Sequence, residues 1–97
     1  RMVGELDRLL DAAPALKVQV AAAEWVGNRR WNLTFKTGQL LALPEGERAP
    51  AALVRFAKLD GANRLLAGRV AAVDMRVSGQ AAFRCKGGPC TQSALQR

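Results

Sequence analysis

The chain contains no histidine and no tyrosine. Without imidazole there is no Ser–His or Cys–His catalytic pair and no histidine metal site. Without tyrosine there is no phenolic acid. Serine occurs only at Ser78 and Ser93, and neither sits in a G-x-S-x-G turn. No G-x-x-x-x-G-K-[ST] or G-x-G-x-x-G phosphate loop is present. The acids Glu5, Asp7, Asp11, Glu24, Glu45, Glu47, Asp60 and Asp74 are scattered, with no close pair set among apolar residues. Cysteine is limited to Cys85 and Cys90, too few thiols for zinc without histidine and wrongly spaced for a C-x-x-C redox motif. These gaps argue against an enzyme and against any cofactor or metal. Long apolar runs are missing too: none approaches the ~20 residues that cross a bilayer, and no signal peptide is visible. The chain opens on Arg1 rather than Met, which we read as a fragment, with room upstream for a targeting segment or a membrane anchor.

What is present fits one globular domain over residues 1–97, with 49% hydrophobic and 24% charged residues. Fifteen Lys and Arg against eight acids give a net charge of +7. Such a balance suits nucleic acid, an anionic membrane surface, or a solvated surface that meets an acidic partner. The basic residues are spread singly or in pairs, the densest cluster being Arg29-Arg30. No run of Lys/Arg occurs, and Trp25, Trp31, Phe35, Phe56 and Phe83 all fall at positions that read as core. The distribution therefore disfavours nucleic acid. A basic nucleic-acid module and a membrane-surface module remain as alternatives.

Hydrophobic periodicity orders the chain. Leu6, Leu9, Leu10 and Ala13 mark an amphipathic helix over 2–13 that Pro14 stops. Residues 17–26 alternate as a strand, with a bulge near Ala21–Ala23 needed to bring Trp25 and Val18 to one face. Residues 29–36 form the clearest strand: Trp31, Leu33 and Phe35 point one way, and Arg30, Asn32, Thr34 and Lys36 the other. Thr37-Gly38 turns the chain into strand 39–43. Pro50 opens a helix over 51–60, with Gly61 as its stop and a short second turn over 63–67. Strand 69–77 places Ala71, Val73, Met75 and Val77 on one face. Ser78-Gly79 then turns it into strand 80–85, and residues 91–97 read as a frayed tail. The fold expected is α+β: a mostly antiparallel sheet of about five strands with two helices packed on one face.

The stretch RRWNLTFKTGQLLALP at 29–44, then a Leu/Ala-rich helix, then VDMR at 73–76, resembles the FtsQ family of bacterial cell-division proteins. The motifs are Arg29-Arg30-Trp31, Gly38, Leu43-Pro44, Leu53–Leu59 and Asp74-Met75-Arg76. The resemblance covers about residues 5–84. It implies the β domain of a single-pass inner-membrane protein, held in the periplasm. It implies a non-enzymatic scaffold needed for septum assembly that recruits the coiled-coil proteins FtsB and FtsL. FtsB is expected to add a strand to the last strand of the sheet, Gly79–Arg84 here. Val77 stands where the family often has an aromatic residue, and the Cys85–Cys90 segment is outside the family pattern.

The residues agree with strand addition on their own terms. A final strand with no later strand to pair leaves one row of N–H and C=O groups open. Gly79, Ala81 and Ala82 are small enough for close approach of a second backbone, and no proline removes an amide. The expected partner surface is Arg76, Val77, Ser78, Gly79, Gln80, Ala81, Ala82, Phe83 and Arg84. Phe83 would supply an apolar contact, and Arg76, Arg84 and Arg29 or Arg30 would pair with acids. The parity of Arg30 with Asn32 and Thr34 favours Arg30 over Arg29. The competing reading is a protected edge strand blunted by Arg84 and Lys86. In an oxidising periplasm, a Cys85–Cys90 disulfide across Gly87-Gly88-Pro89 is expected.

Overall fold

The computed structural model describes residues 2–64, 66, 68–77 and 79–87. The elements run α1 (Met2–Leu10), α2 (Pro14–Lys17), β1 (Val20–Val26), β2 (Arg30–Phe35), β3 (Leu40–Ala42), α3 (Arg48–Asn63), β4 (Val70–Asp74) and β5 (Ala82–Cys85). The five strands form one sheet in the order β1-β2-β3-β4-β5.

The fold is α+β, and the sheet is mixed. β1–β2, β2–β3 and β4–β5 are antiparallel, as hairpin connections dictate. β3 and β4 run parallel, because α3 carries the chain back between them.

Cross-strand register sorts the side chains. Ala23, Leu33, Leu41, Val73 and Phe83 form one row across all five strands. Leu33, Leu41 and Val73 in that row are buried, together with Leu53 and Phe56 of α3 and Leu9 and Leu10 of α1. Phe35 and Phe56 stack with centroids 5.5 Å apart, joining sheet to helix. Each fully buried side chain of this size contributes about 1.5–3 kcal/mol. The neighbouring row, Glu24, Asn32, Ala42, Asp74 and Ala82, lies on the opposite, outer face.

Several boundaries differ from expectation. Pro14 stops α1 and also opens α2 from a first-turn position, where its missing N–H costs nothing. Lys17 belongs to that turn, so β1 starts later than 17. The expected bulge is present, as a register shift between Val20 and Ala22. Gly61 does not end α3. Arg64 does, in the left-handed region at φ 54, with its N–H on the Asp60 carbonyl. Leu66 N–H is caught by the Asp60 carboxylate at 2.8 Å, and Leu66 itself has 3-10 helical geometry, while residues 65 and 67 of the expected second turn lie outside the described residues.

β4 also ends early, at Asp74, and a second register shift lies between Val70 and Ala72. The extra residue puts Val70 and Val73 both inside the core, at 1% and 2% exposed. Val77, expected beside Val73 and Met75, lies beyond the strand and is 59% exposed. Residues 88–97, including the expected tail at 91–97, lie outside the described residues.

Candidate partner-binding edge

β5 is the last strand of the sheet, and among the described residues it pairs with β4 alone. Its backbone orientation follows from one bond. Lys86 N–H donates to the Arg69 carbonyl at 2.8 Å, on the β4 side. N–H and C=O groups alternate sides along a strand, so Arg84 and Ala82 also face β4. Phe83 then turns its N–H and C=O toward the open edge.

The side chains of β5 alternate at right angles to this. Ala82 and Arg84 are exposed on the outer face. Phe83 is half-buried and packs against the core, as does Ala81. The apolar contact assigned to Phe83 is therefore made largely within the molecule. Val77 and Val18 are the exposed large hydrophobics among the described residues, and Val77 sits in the turn that leads into β5. That turn is closed by Gln80 N–H on the Val77 carbonyl at 3.1 Å. Gly79 takes φ 77 there, a conformation that side chains disfavour. Ser78 lies outside the described residues.

Asp74 organises the charge next to this edge. Arg76 places Nε 2.9 Å from Asp74 Oδ1 and Nη2 2.7 Å from Oδ2. The Arg76 backbone N–H adds a third bond to Oδ1 at 3.0 Å. Hydrogen bonds from Arg76, and more weakly the positive charge of Arg30, hold the Asp74 carboxyl below the usual carboxylate range. Arg76 is correspondingly raised by Asp74. Arg76 thus reaches a partner only through whatever its bidentate bond to Asp74 leaves exposed. Arg30 is half-buried and donates to Asn32 Oδ1 at 2.7 Å, on the same outer face as Asp74.

Arg29 goes elsewhere. It is exposed and lies 3.5 Å from Glu45, in a cavity of about 490 Å³ that also includes Trp25, Trp31, Pro44 and Pro50. The two indoles meet with centroids 5.0 Å apart, and Trp25 Nε1 donates to Asn28 Oδ1 at 3.0 Å. Both tryptophans are half-buried rather than enclosed, since they border the cavity that lies against Leu9 of α1 and Ala49 of α3. Arg30 also lines this cavity, while its guanidinium reaches Asn32 on the face that carries Asp74. Asp74 holds the neighbouring arginine, Arg76, as its place two residues ahead of that arginine suggests.

Cys85 is buried, 5% exposed, opposite Val70. It is not a free thiol. Cys90 lies outside the described residues.

Comparison with known proteins places this geometry. The model of the C-terminal region of cell division protein FtsQ/DivIB matches residues 2–76. The chain belongs to the FtsQ/DivIB cell-division family. It is 67% identical over 86 residues to the cell division protein FtsQ of Novosphingobium aromaticivorans, covering 88% of this chain and 27% of that protein. The FtsQ of Zymomonas mobilis is 51% identical over 75 residues, 77% of this chain and 24% of the relative. The FtsQ of Cereibacter sphaeroides is 32% identical over all 97 residues, which span 30% of its length. The chain thus spans about a quarter to a third of these relatives. No solved structure matches it. The FtsQ/DivIB match stops at Arg76, so β5 lies beyond it. No helix among the described residues is long and apolar enough to cross a membrane.

Proposed function

We propose that this FtsQ/DivIB segment is a non-enzymatic divisome scaffold that binds FtsB, and through it FtsL, by strand addition to β5. The observation that carries the reading is the position of β5 at the sheet edge, with Phe83 presenting its N–H and C=O away from β4. A visiting strand would form main-chain bonds there, each worth about 0.5–1.5 kcal/mol net. On the outer face it would pass Ala82, which admits close approach, and Arg84, which suits an acidic side chain. Exposed Val77 would cover an apolar residue at the end of the added strand. We infer that the protein carrying this segment is anchored in the inner membrane by a single span and holds this segment in the periplasm. The family membership and the greater length of the relatives support that topology.

The backbone orientation supplies the test. Proline is tolerated in an edge strand where its missing N–H faces outward. Phe83→Pro should leave the β4–β5 ladder standing while blocking the added strand. In the full-length protein we expect Phe83→Pro to weaken FtsB–FtsL binding at least about tenfold, a loss of about 1.4 kcal/mol or more. Phe83→Ala, which keeps the amide, should retain most of the affinity. Arg84→Glu, at an exposed position, should fold normally and also bind weakly. Wild-type affinity in Phe83→Pro would rule out strand addition at this edge.

A further inference from the structure

Strand pairing gathers one end of the sheet: Val20 lies opposite Phe35, Thr34 opposite Leu40, Leu40 opposite Ala72 and Val70 opposite Cys85. The residues just past that end are basic. Lys36 N–H donates to the Gln19 carbonyl at 2.7 Å, and Lys86 N–H donates to the Arg69 carbonyl at 2.8 Å. α3 returns the chain to the start of β4, so Arg64 at its C-terminus comes out at the same end. The Gln39 side chain, in the turn between β2 and β3, reaches the Leu66 carbonyl there at 3.4 Å. Lys36, Arg64, Arg69 and Lys86 are exposed, and among the described residues none of them makes an ion pair. The nearby acids are committed. Asp11 holds Lys17 at 2.8 Å, Asp7 adds a weaker attraction to the same lysine, and Asp60 accepts from Leu66 N–H. At the far end Arg29 meets Glu45 and Arg76 meets Asp74. Positive charge is therefore paired off at one end of the sheet and left open at the other. Val18 stands at the open end beside Lys17, 67% exposed.

We propose that this end of the segment docks on an anionic phospholipid surface, with Val18 entering the headgroup layer and Lys36, Arg64, Arg69 and Lys86 set over the phosphates. Charge complementarity selects the occupant. Long basic side chains reach a headgroup layer while their stems lie along apolar surface, and an exposed aliphatic residue among them gains by leaving water. A nucleic acid would use the same charge and leave Val18 in water. Four cations alone give an affinity on the order of a millimolar dissociation constant. A tethered segment needs no more, because a short tether supplies an effective concentration of that order. The inference therefore rests on the proposed membrane anchor. Contact through this end leaves the open side of β5 free for a partner strand.

The test uses the full-length protein in lipid nanodiscs, made of phosphatidylcholine alone or of phosphatidylcholine mixed with phosphatidylglycerol. An environment-sensitive fluorophore is attached at Val18→Cys, and at Glu24→Cys as a control on the outer face. We expect the Val18→Cys emission to shift to the blue in the mixed discs and to revert at about 0.5 M salt. It should not shift in phosphatidylcholine alone, and the Glu24→Cys emission should not move in either. Unlabelled wild type gives an independent reading: acylation of Lys36 and Lys86 should slow about threefold or more in the mixed discs. Lys36→Glu/Arg69→Glu, at exposed positions, should abolish the Val18→Cys shift. Equal emission and equal acylation rates in the two kinds of disc would overturn the docking, as would a shift of the same size in both. A shift produced in detergent by FtsB–FtsL or by duplex DNA, and absent with anionic lipid, would assign this end to an acidic protein or a nucleic acid and overturn it too. Protein that elutes apart from both kinds of disc would refute the anchor and the docking together. Protein held in the discs with an unmoved label would refute the docking alone. FtsB–FtsL binding, read separately, decides strand addition at β5.

Discussion

Asp74 accepts hydrogen bonds from three Arg76 donors, Nε, Nη2 and the backbone N–H, with Nε shared between both carboxylate oxygens. They end β4 and turn the chain outward, which is why Val77 leaves the core. The folded carboxyl keeps its charge to lower pH than the unfolded one. Its stabilisation is therefore complete above the ordinary carboxylate range and is lost as pH falls through the depressed folded value. The pair is more than a third exposed, so solvent screening keeps the gain small. Asp74→Asn should lower the urea midpoint slightly at pH 7. It should also flatten the decline in stability as pH falls through and below the ordinary carboxylate range, relative to wild type. An unchanged acid limb would show that Asp74 is not the group responsible. Phe56 is a different case, stacked on Phe35 and 1% exposed. Phe56→Ala should cost about 3–5 kcal/mol in equilibrium unfolding, through a cavity that the sheet cannot close.

Gly61 lies in the last turns of α3, and a Cβ there would meet nothing within 4 Å. Gly61→Ala should raise stability by about 0.5–1 kcal/mol, read as a higher thermal midpoint. A lower midpoint would mean that the glycine serves a purpose the helix does not show. This residue also shows where sequence reading stopped. A glycine after an apolar run signals a helix end, yet the stop came from Arg64 in a left-handed cap and from the Asp60 carboxylate on Leu66 N–H. The strands were more legible. Alternation through Trp31, Leu33 and Phe35 fixed the faces of β2, and Gly38 at φ 95 fixed the hairpin after it. Parity failed in β4, because the irregularity between Val70 and Ala72 moved one residue out of phase, and alanines on both sides concealed it. The edge position of β5 was readable from chain order. The turning of its amides was not, since that depends on the bond between Lys86 and Arg69.

At the scale of the molecule, helices cover one face of the sheet, and a polar, alanine-rich face is left with arginines near its β5 side. The family model ends at Arg76, whereas the similarity to the Novosphingobium and Cereibacter relatives runs on past it, into the proposed docking strand. With a net charge of +7, electrostatic steering should dominate the approach of an acidic partner. Raising salt from about 0.05 to 0.5 M should slow FtsB–FtsL association several-fold and change dissociation much less. A steep salt dependence for unrelated DNA, with micromolar affinity near physiological salt, would favour the nucleic-acid alternative instead. The central claim is that a partner strand bonds to the open side of β5. Amide exchange of the full-length protein, with and without saturating FtsB–FtsL, tests it directly. The Phe83 amide should slow by about tenfold or more on binding, whereas the Arg84 amide, already turned toward β4, should change little. Tight binding that leaves the Phe83 amide exchanging at its free rate would contradict it.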